Sequence, residues 1–193
     1  MAIDYLPVAW NDYHHLAQAL ADRVLSDKLQ IDEIVAISRG GLTLGHILTD
    51  LLSVPISTFT IQSYTDIQTQ GEVKITKPLT TPIDGKHVLL VDDVSDTGKT
   101  LIRAIDYLKT FHPKSVTTLA LYYKPHAVYK PDYFAETTSA WILFPYEPME
   151  MIKHIMRGMR KDGKPDAEIQ AFLENLHYTK DQINFAKKYF TRK

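Results

Sequence analysis

The amino-acid sequence predicts an α/β fold in which a mostly parallel sheet is flanked by helices. Three observations lead there. His87 to Val91 is apolar on both faces, as an interior parallel strand must be. Over the first 150 residues, short apolar runs alternate with segments of helical period, the rhythm of βαβ units. The remainder carries helical stripes with no strand signals between them. We therefore expect a domain over residues 1–150 and a C-terminal helical extension, a hairpin of two helices, over residues 151–193.

Taken in order, Asn11 or Asp12 is placed to cap a first helix reaching about Lys28, with Leu16, Leu20 and Val24 on one stripe. Glu33 to Ser38 is a short strand ending in Arg39-Gly40-Gly41. Leu42 to Leu52 has helical spacing, and a strand runs from Pro55 through Ile61. Ser63 to Pro82 is polar and without period, a long loop of the kind that is usually functional. After the strand at His87, Leu101, Ile102, Ile105 and Leu108 share a helix face. Ser115 to Tyr123 and short segments around Tyr133 and Trp141 to Phe144 are further strands. In the extension, Ile169, Phe172, Leu173 and Leu176 form one stripe. Thr179 opens a second helix carrying Ile183, Phe185, Ala186 and Tyr189. Both stripes are too apolar to remain in water.

Composition narrows the function classes. The 193 residues are 45% hydrophobic and 23% charged, as in an ordinary globular protein. The absence of Cys excludes disulfides and thiolate metal sites. The N-terminus lacks signal-peptide order and no apolar run approaches a membrane span, so a cytoplasmic protein without a membrane partner is expected. The net charge of -1 hides an asymmetry, since residues 152–193 carry ten Lys or Arg against five Asp or Glu. These cations are spread along the segment, so packing on the acidic body or a second subunit is expected, and nucleic acid is not.

The chemistry concentrates in Val88-Leu89-Leu90-Val91-Asp92-Asp93-Val94-Ser95-Asp96-Thr97-Gly98-Lys99-Thr100. A buried strand runs into two carboxylates, and a small polar loop leads into a helix. Ligands of open α/β sheets bind beyond the carboxyl ends of strands. Ser95 to Thr100 offers backbone N–H groups, hydroxyls and a helix N-terminus, which suit a phosphate. A P-loop is excluded, because that motif needs Gly where Asp93 stands. Paired acids beside a phosphate cradle make sense if they accept hydrogen bonds from vicinal ribose hydroxyls, directly or with Mg²⁺ nearby.

This segment resembles the phosphoribosyl pyrophosphate signature of the type I phosphoribosyltransferases, whose fold adds a small hood to the sheet. The resemblance implies that Asp92 and Asp93 hold the ribose hydroxyls and Mg²⁺, and that Ser95, Asp96, Thr97, Gly98, Lys99 and Thr100 wrap the 5′-phosphate. Ser38-Arg39-Gly40-Gly41 matches the family's pyrophosphate loop, which implies a cis or strained Ser38–Arg39 bond. Ser63-Tyr64 opens the family's lid over the reacting centre. Asp66 to Glu72 lacks the Arg found there in xanthine-guanine enzymes, and Lys74 or Lys77 is the candidate substitute.

Lys124-Pro125 and Trp141-Ile142-Leu143-Phe144-Pro145-Tyr146-Glu147 resemble the 6-oxopurine branch, most closely xanthine-guanine phosphoribosyltransferase. That implies Trp141 on the purine face, the Ile142 backbone on its edge, Lys124 on the exocyclic oxygen, Asp96 as proton acceptor, and Glu147 near the metal. An ammonium only donates hydrogen bonds, which independently favours an oxo over an amino group. The expected reaction joins a 6-oxopurine to the phosphoribosyl group, in purine salvage, by a homodimer or higher homo-oligomer. The rivals are a phosphoribosyl pyrophosphate-sensing regulator binding nucleic acid through the basic tail, and a transferase for another base.

Overall fold

The computed structural model describes residues 3–63 and 73–190 of the chain. The elements run β1 (Tyr5–Pro7), α1 (Trp10–Ser26), β2 (Glu33–Ser38), α2 (Gly41–Leu52), β3 (Ile56–Ser63), β4 (Val73–Lys77), β5 (His87–Ser95), α3 (Lys99–Lys109), β6 (Ser115–Tyr123), β7 (Tyr133–Thr137), β8 (Trp141–Leu143), α4 (Pro148–Lys161), α5 (Asp166–Asn175) and α6 (Lys180–Phe190). They fall into two compact units, His14–Ser139 and Met1–Tyr13 with Ala140–Lys193.

The larger unit is built on a six-stranded sheet in the order β4-β3-β2-β5-β6-β7. All its pairings are parallel except β3 with β4. This is the expected α/β architecture. The central strands bury both faces, and their β-branched and Leu residues suit that place. On one face Val35, Ile37, Val88 and Leu90 pack with Leu101, Ala104 and Leu108 of α3. On the other, α2 lies close enough that a Cβ at Gly45 would come within 2.9 Å of the Ala36 Cβ. Losing a side chain such as Leu90 from this core costs about 2–5 kcal/mol. At the start of β2, buried Glu33 pairs with Lys86 at 2.9 Å and accepts a hydrogen bond from Ser57, which compensates its charge.

Helix α1 begins at Trp10, so Asn11 and Asp12, expected as its cap, lie within its first turn. Two expectations for the sheet also change. The segment from Ser63 to Pro82 is not loop throughout, because Val73–Lys77 forms β4 against β3. Val73 and Ile75 alternate with Lys74 and Thr76, an edge-strand pattern obscured by its polar surroundings. The strand of His87 also does not stop at Val91. It continues to Ser95, with Asp92 still in register with Ala120.

The smaller unit pairs β1 with β8 in parallel, Tyr5 opposite Trp141 and Pro7 opposite Leu143. The two helices expected of the C-terminal extension are α5 and α6, and a third, α4, precedes them. Met151, Ile152, Ile155 and Met156 give α4 a buried stripe, and Pro148 stands in its first turn, where a missing N–H costs nothing. That stripe joins Leu143, Ile169, Leu173, Ile183 and Ala186 in one core. Thr179 does cap α6: the Gln182 N–H donates to its Oγ1 at 3.2 Å, and Gln182 accepts from the Thr179 N–H at 2.9 Å. Phe185 and Tyr189, assigned to the buried stripe from sequence, remain exposed and pack on each other instead.

Candidate functional site

Three loops of the larger unit meet at the carboxyl ends of β2, β5 and β6. From β2 the chain proceeds to β3 on one side, and from β5 to β6 on the other. The junction of β2 and β5 is therefore a topological switch point, the place where open α/β sheets bind their ligands.

The loop after β2 supplies one wall. Its Ser38–Arg39 peptide is cis, as expected, and Arg39 is exposed. A Cβ on Gly40 would strike the Asp93 carboxylate, and one on Gly41 would strike the Val91 carbonyl. Only glycines let this backbone lie against the end of β5. The Gly41 N–H donates to the Asp92 carboxylate.

Asp92 and Asp93 form the facing wall. Asp92 is 7% exposed, and burial, then the adjacent Asp93 charge, holds its carboxyl well above the usual range. The Asp93 N–H donates to Asp92 Oδ1 at 3.1 Å, and the Val94 N–H donates to Asp93 Oδ1 at 2.7 Å. Two adjacent carboxylates make an oxygen-only donor pair suited to a hard cation such as Mg²⁺. Among the described residues no third acid or His joins them, so ligand oxygens would have to complete a shell.

The next residues divide by direction. Ser95, expected on the phosphate, is 1% exposed and donates its hydroxyl hydrogen to the Tyr129 carbonyl at 2.8 Å, so its side chain is turned into the protein. Asp96, Thr97 and Lys99 are exposed. Gly98 has φ +80°, and a Cβ there would meet the Tyr129 backbone, so the turn into α3 requires glycine. The first N–H groups of α3, from Lys99 and Thr100 on, leave an electropositive helix end at this corner.

At the end of β6, Lys124 is buried, with its side chain 11% exposed, and its Nζ lies 3.2 Å from Asp96 Oδ1. His126 Nε2 stands 3.6 Å from the same oxygen. His126 was not foreseen, although its place two residues after Lys124 was the available signal.

Trp141, Ile142 and Glu147 belong to the smaller unit. Trp141 is 49% exposed at the head of β8, Ile142 is buried, and Glu147 is the residue before α4. Of the lid residues, Ser63 ends β3 and Lys74 lies in β4, whereas Tyr64 lies outside the described residues.

Strand-end carboxylates set against a glycine turn and a helix N-terminus have the chemistry that suits a phosphorylated sugar. The phosphoribosyl transferase domain matches residues 9–149, and the chain belongs to that family. Among solved structures, it is similar to a purine phosphoribosyltransferase from Pyrococcus horikoshii Ot3, with 32% identity and a TM-score of 0.69 over 75% of this chain and 95% of that one. The xanthine-guanine-hypoxanthine phosphoribosyltransferase of Helicobacter pylori matches at 25% identity and a TM-score of 0.67, over 74% and 94%. A hypothetical protein from Neisseria gonorrhoeae with bound ppGpp shares the fold, with 24% identity and a TM-score of 0.68 over 85% and 99%.

Proposed function

We propose that this purine phosphoribosyltransferase acts on 6-oxopurines, joining guanine, xanthine or hypoxanthine through N9 to the phosphoribosyl group of phosphoribosyl pyrophosphate. The observation that carries the choice of base is the buried ammonium of Lys124, held against Asp96 at the end of β6. It has donors only, so it rewards a 6-oxo group and leaves a 6-amino group unmet.

In the reaction, purine N9 attacks ribose C1, the C1–O bond breaks, and pyrophosphate leaves with the electron pair. The purine's proton passes to the Asp96 carboxylate, which lies exposed where a ligand reaches it. Asp92 and Asp93 take the ribose hydroxyls, while Arg39 and the backbone of Gly40 take the pyrophosphate. Thr97, Gly98, Lys99 and Thr100 enclose the 5′-phosphate at the start of α3. Lys74 assists the leaving group from β4. Trp141 supplies an aromatic face to the base, and the Ile142 backbone reads its edge. Mg²⁺, held by Asp92 and Asp93, would neutralise the leaving pyrophosphate.

The test is an assay of purified protein with Mg²⁺, phosphoribosyl pyrophosphate and each of adenine, guanine, hypoxanthine and xanthine. Nucleotide formation with the oxopurines and little with adenine is expected. Turnover of adenine alone, or of no base, overturns the reading.

A further inference from the structure

Trp141 is the exposed indole to which the proposed function assigns the purine face, and the smaller unit holds it from two directions. Its backbone is fixed by β1: the Trp141 N–H donates to the Asp4 carbonyl at 2.8 Å, and the residue pairs with Tyr5. Its ring is fixed by α4. The indole Nε1–H points at Met151 Sδ at 3.3 Å. The His154 ring lies parallel to the indole, with 5° between the planes and 6.2 Å between centroids.

Met151 and His154 are three residues apart, so they occupy one helix face. The neighbouring Ile152 and Ile155 are buried in the core of the extension, and they set the position of that face. The family domain matched by this chain ends at residue 149. Both groups that orient the indole therefore come from outside it.

From this juxtaposition we infer that the C-terminal extension is part of the base-recognition apparatus, with Met151 and His154 as positioning residues that hold the Trp141 indole ready to stack. The inference rests on the assignment of Trp141 to the purine. A surface Trp side chain free to change rotamer loses that freedom on binding a base, and prior immobilisation removes the cost. Met151 occupies the indole's one donor and blocks rotation about its long axis. His154 limits tilt. His154 is exposed and acts only through Trp141, so changing it leaves the core of the extension intact.

The experiment uses the full chain carrying Trp10→Phe. With two Trp in the sequence, this leaves Trp141 as the sole indole fluorophore. In that background His154→Ala is expected to raise indole mobility, read as lower fluorescence anisotropy. It should also raise KM for the purine base by about three- to tenfold, the size of one aromatic contact. KM for phosphoribosyl pyrophosphate should stay within about twofold, and His154→Phe, which restores a ring, should recover base KM. Normal base KM in His154→Ala, with the parent active, overturns the inference and leaves the proposed function standing. Equal rises in both KM values overturn it as well, since that is general loosening. A parent that turns over no purine removes the proposed function and the inference together.

Discussion

The Nζ of Lys124 stands 3.2 Å from Oδ1 of Asp96, and this pair ties the loop after β5 to the end of β6. In the proposed reaction the two groups serve different atoms of one purine, so their contact describes the protein between turnovers. When the 6-oxo group draws Lys124 away, the His126 ring, with Nε2 at 3.6 Å, is left beside the carboxylate.

Asp96→Asn removes the proposed proton acceptor and keeps the side chain's shape. Turnover should fall about 10²–10⁴-fold. The dissociation constant for phosphoribosyl pyrophosphate, measured calorimetrically, should change little. Near-normal turnover in the Asn variant would take Asp96 out of the mechanism.

Lys124→Met keeps the stem and deletes the donors. A hydrogen bond to a charged group contributes about 1.5–3 kcal/mol, so kcat/KM for guanine or hypoxanthine should drop roughly 10- to 150-fold. Adenine should be affected far less. An equal loss with all bases would assign Lys124 to architecture instead of choice.

Two glycine substitutions should act in opposite directions. Gly41→Ala drives a methyl group into the Val91 carbonyl, and backbone cannot swing aside as a side chain can. About 1–3 kcal/mol of stability should be lost, measured by urea unfolding. Gly158→Ala, within α4 and with nothing within 4 Å of the new Cβ, should add about 0.5–1 kcal/mol. A stable Gly41→Ala protein would contradict the close approach of β2's loop to β5.

Tyr178 sets an alkaline limit. Its hydroxyl is buried, with no hydrogen-bond partner among the described residues. Burial first, then the charges of Glu147 and Tyr5, raises its pKa well above the ordinary 10.0. The folded state thus keeps a proton that the unfolded chain releases, so the phenol's contribution is intact below pH 10 and is lost as pH rises beyond it. Unfolding followed from pH 8 to 11 should show a steeper alkaline decline in wild type than in Tyr178→Phe. Parallel declines would place the hydroxyl in water.

Much of the larger unit was legible because its signals are local. Val88 to Val91 is apolar throughout, the two acids follow at once, and Asp96-Thr97-Gly98 marks the turn into α3. What stayed hidden depends on tertiary contact. Ser95 reads as one more loop hydroxyl until its hydrogen is found on Tyr129. The exposure of Phe185 and Tyr189 likewise follows from which side of α6 reaches the core, and helical period alone does not select between adjacent stripes. Helix α4 is a different case: Met151, Ile152, Ile155 and Met156 recur at helical spacing with Lys153, His154 and Arg157 outside that stripe, so its signal was present in the sequence and was passed over.

The parallel pairing of β1 with β8 has a consequence for the order in which a ribosome can complete the molecule. Tyr5 emerges at the start of synthesis, but its partner Trp141 follows only after all of residues 14–139. At about 5–20 residues per second, β1 waits many seconds without a sheet partner, while the contiguous larger unit already has the sequence it needs. The segment bearing the phosphoribosyl pyrophosphate signature is thus translated before the pairing that anchors Trp141 can form. A ribosome stalled before residue 140 would hold a chain with the Asp92–Thr100 motif and without Trp141, the platform proposed for the purine.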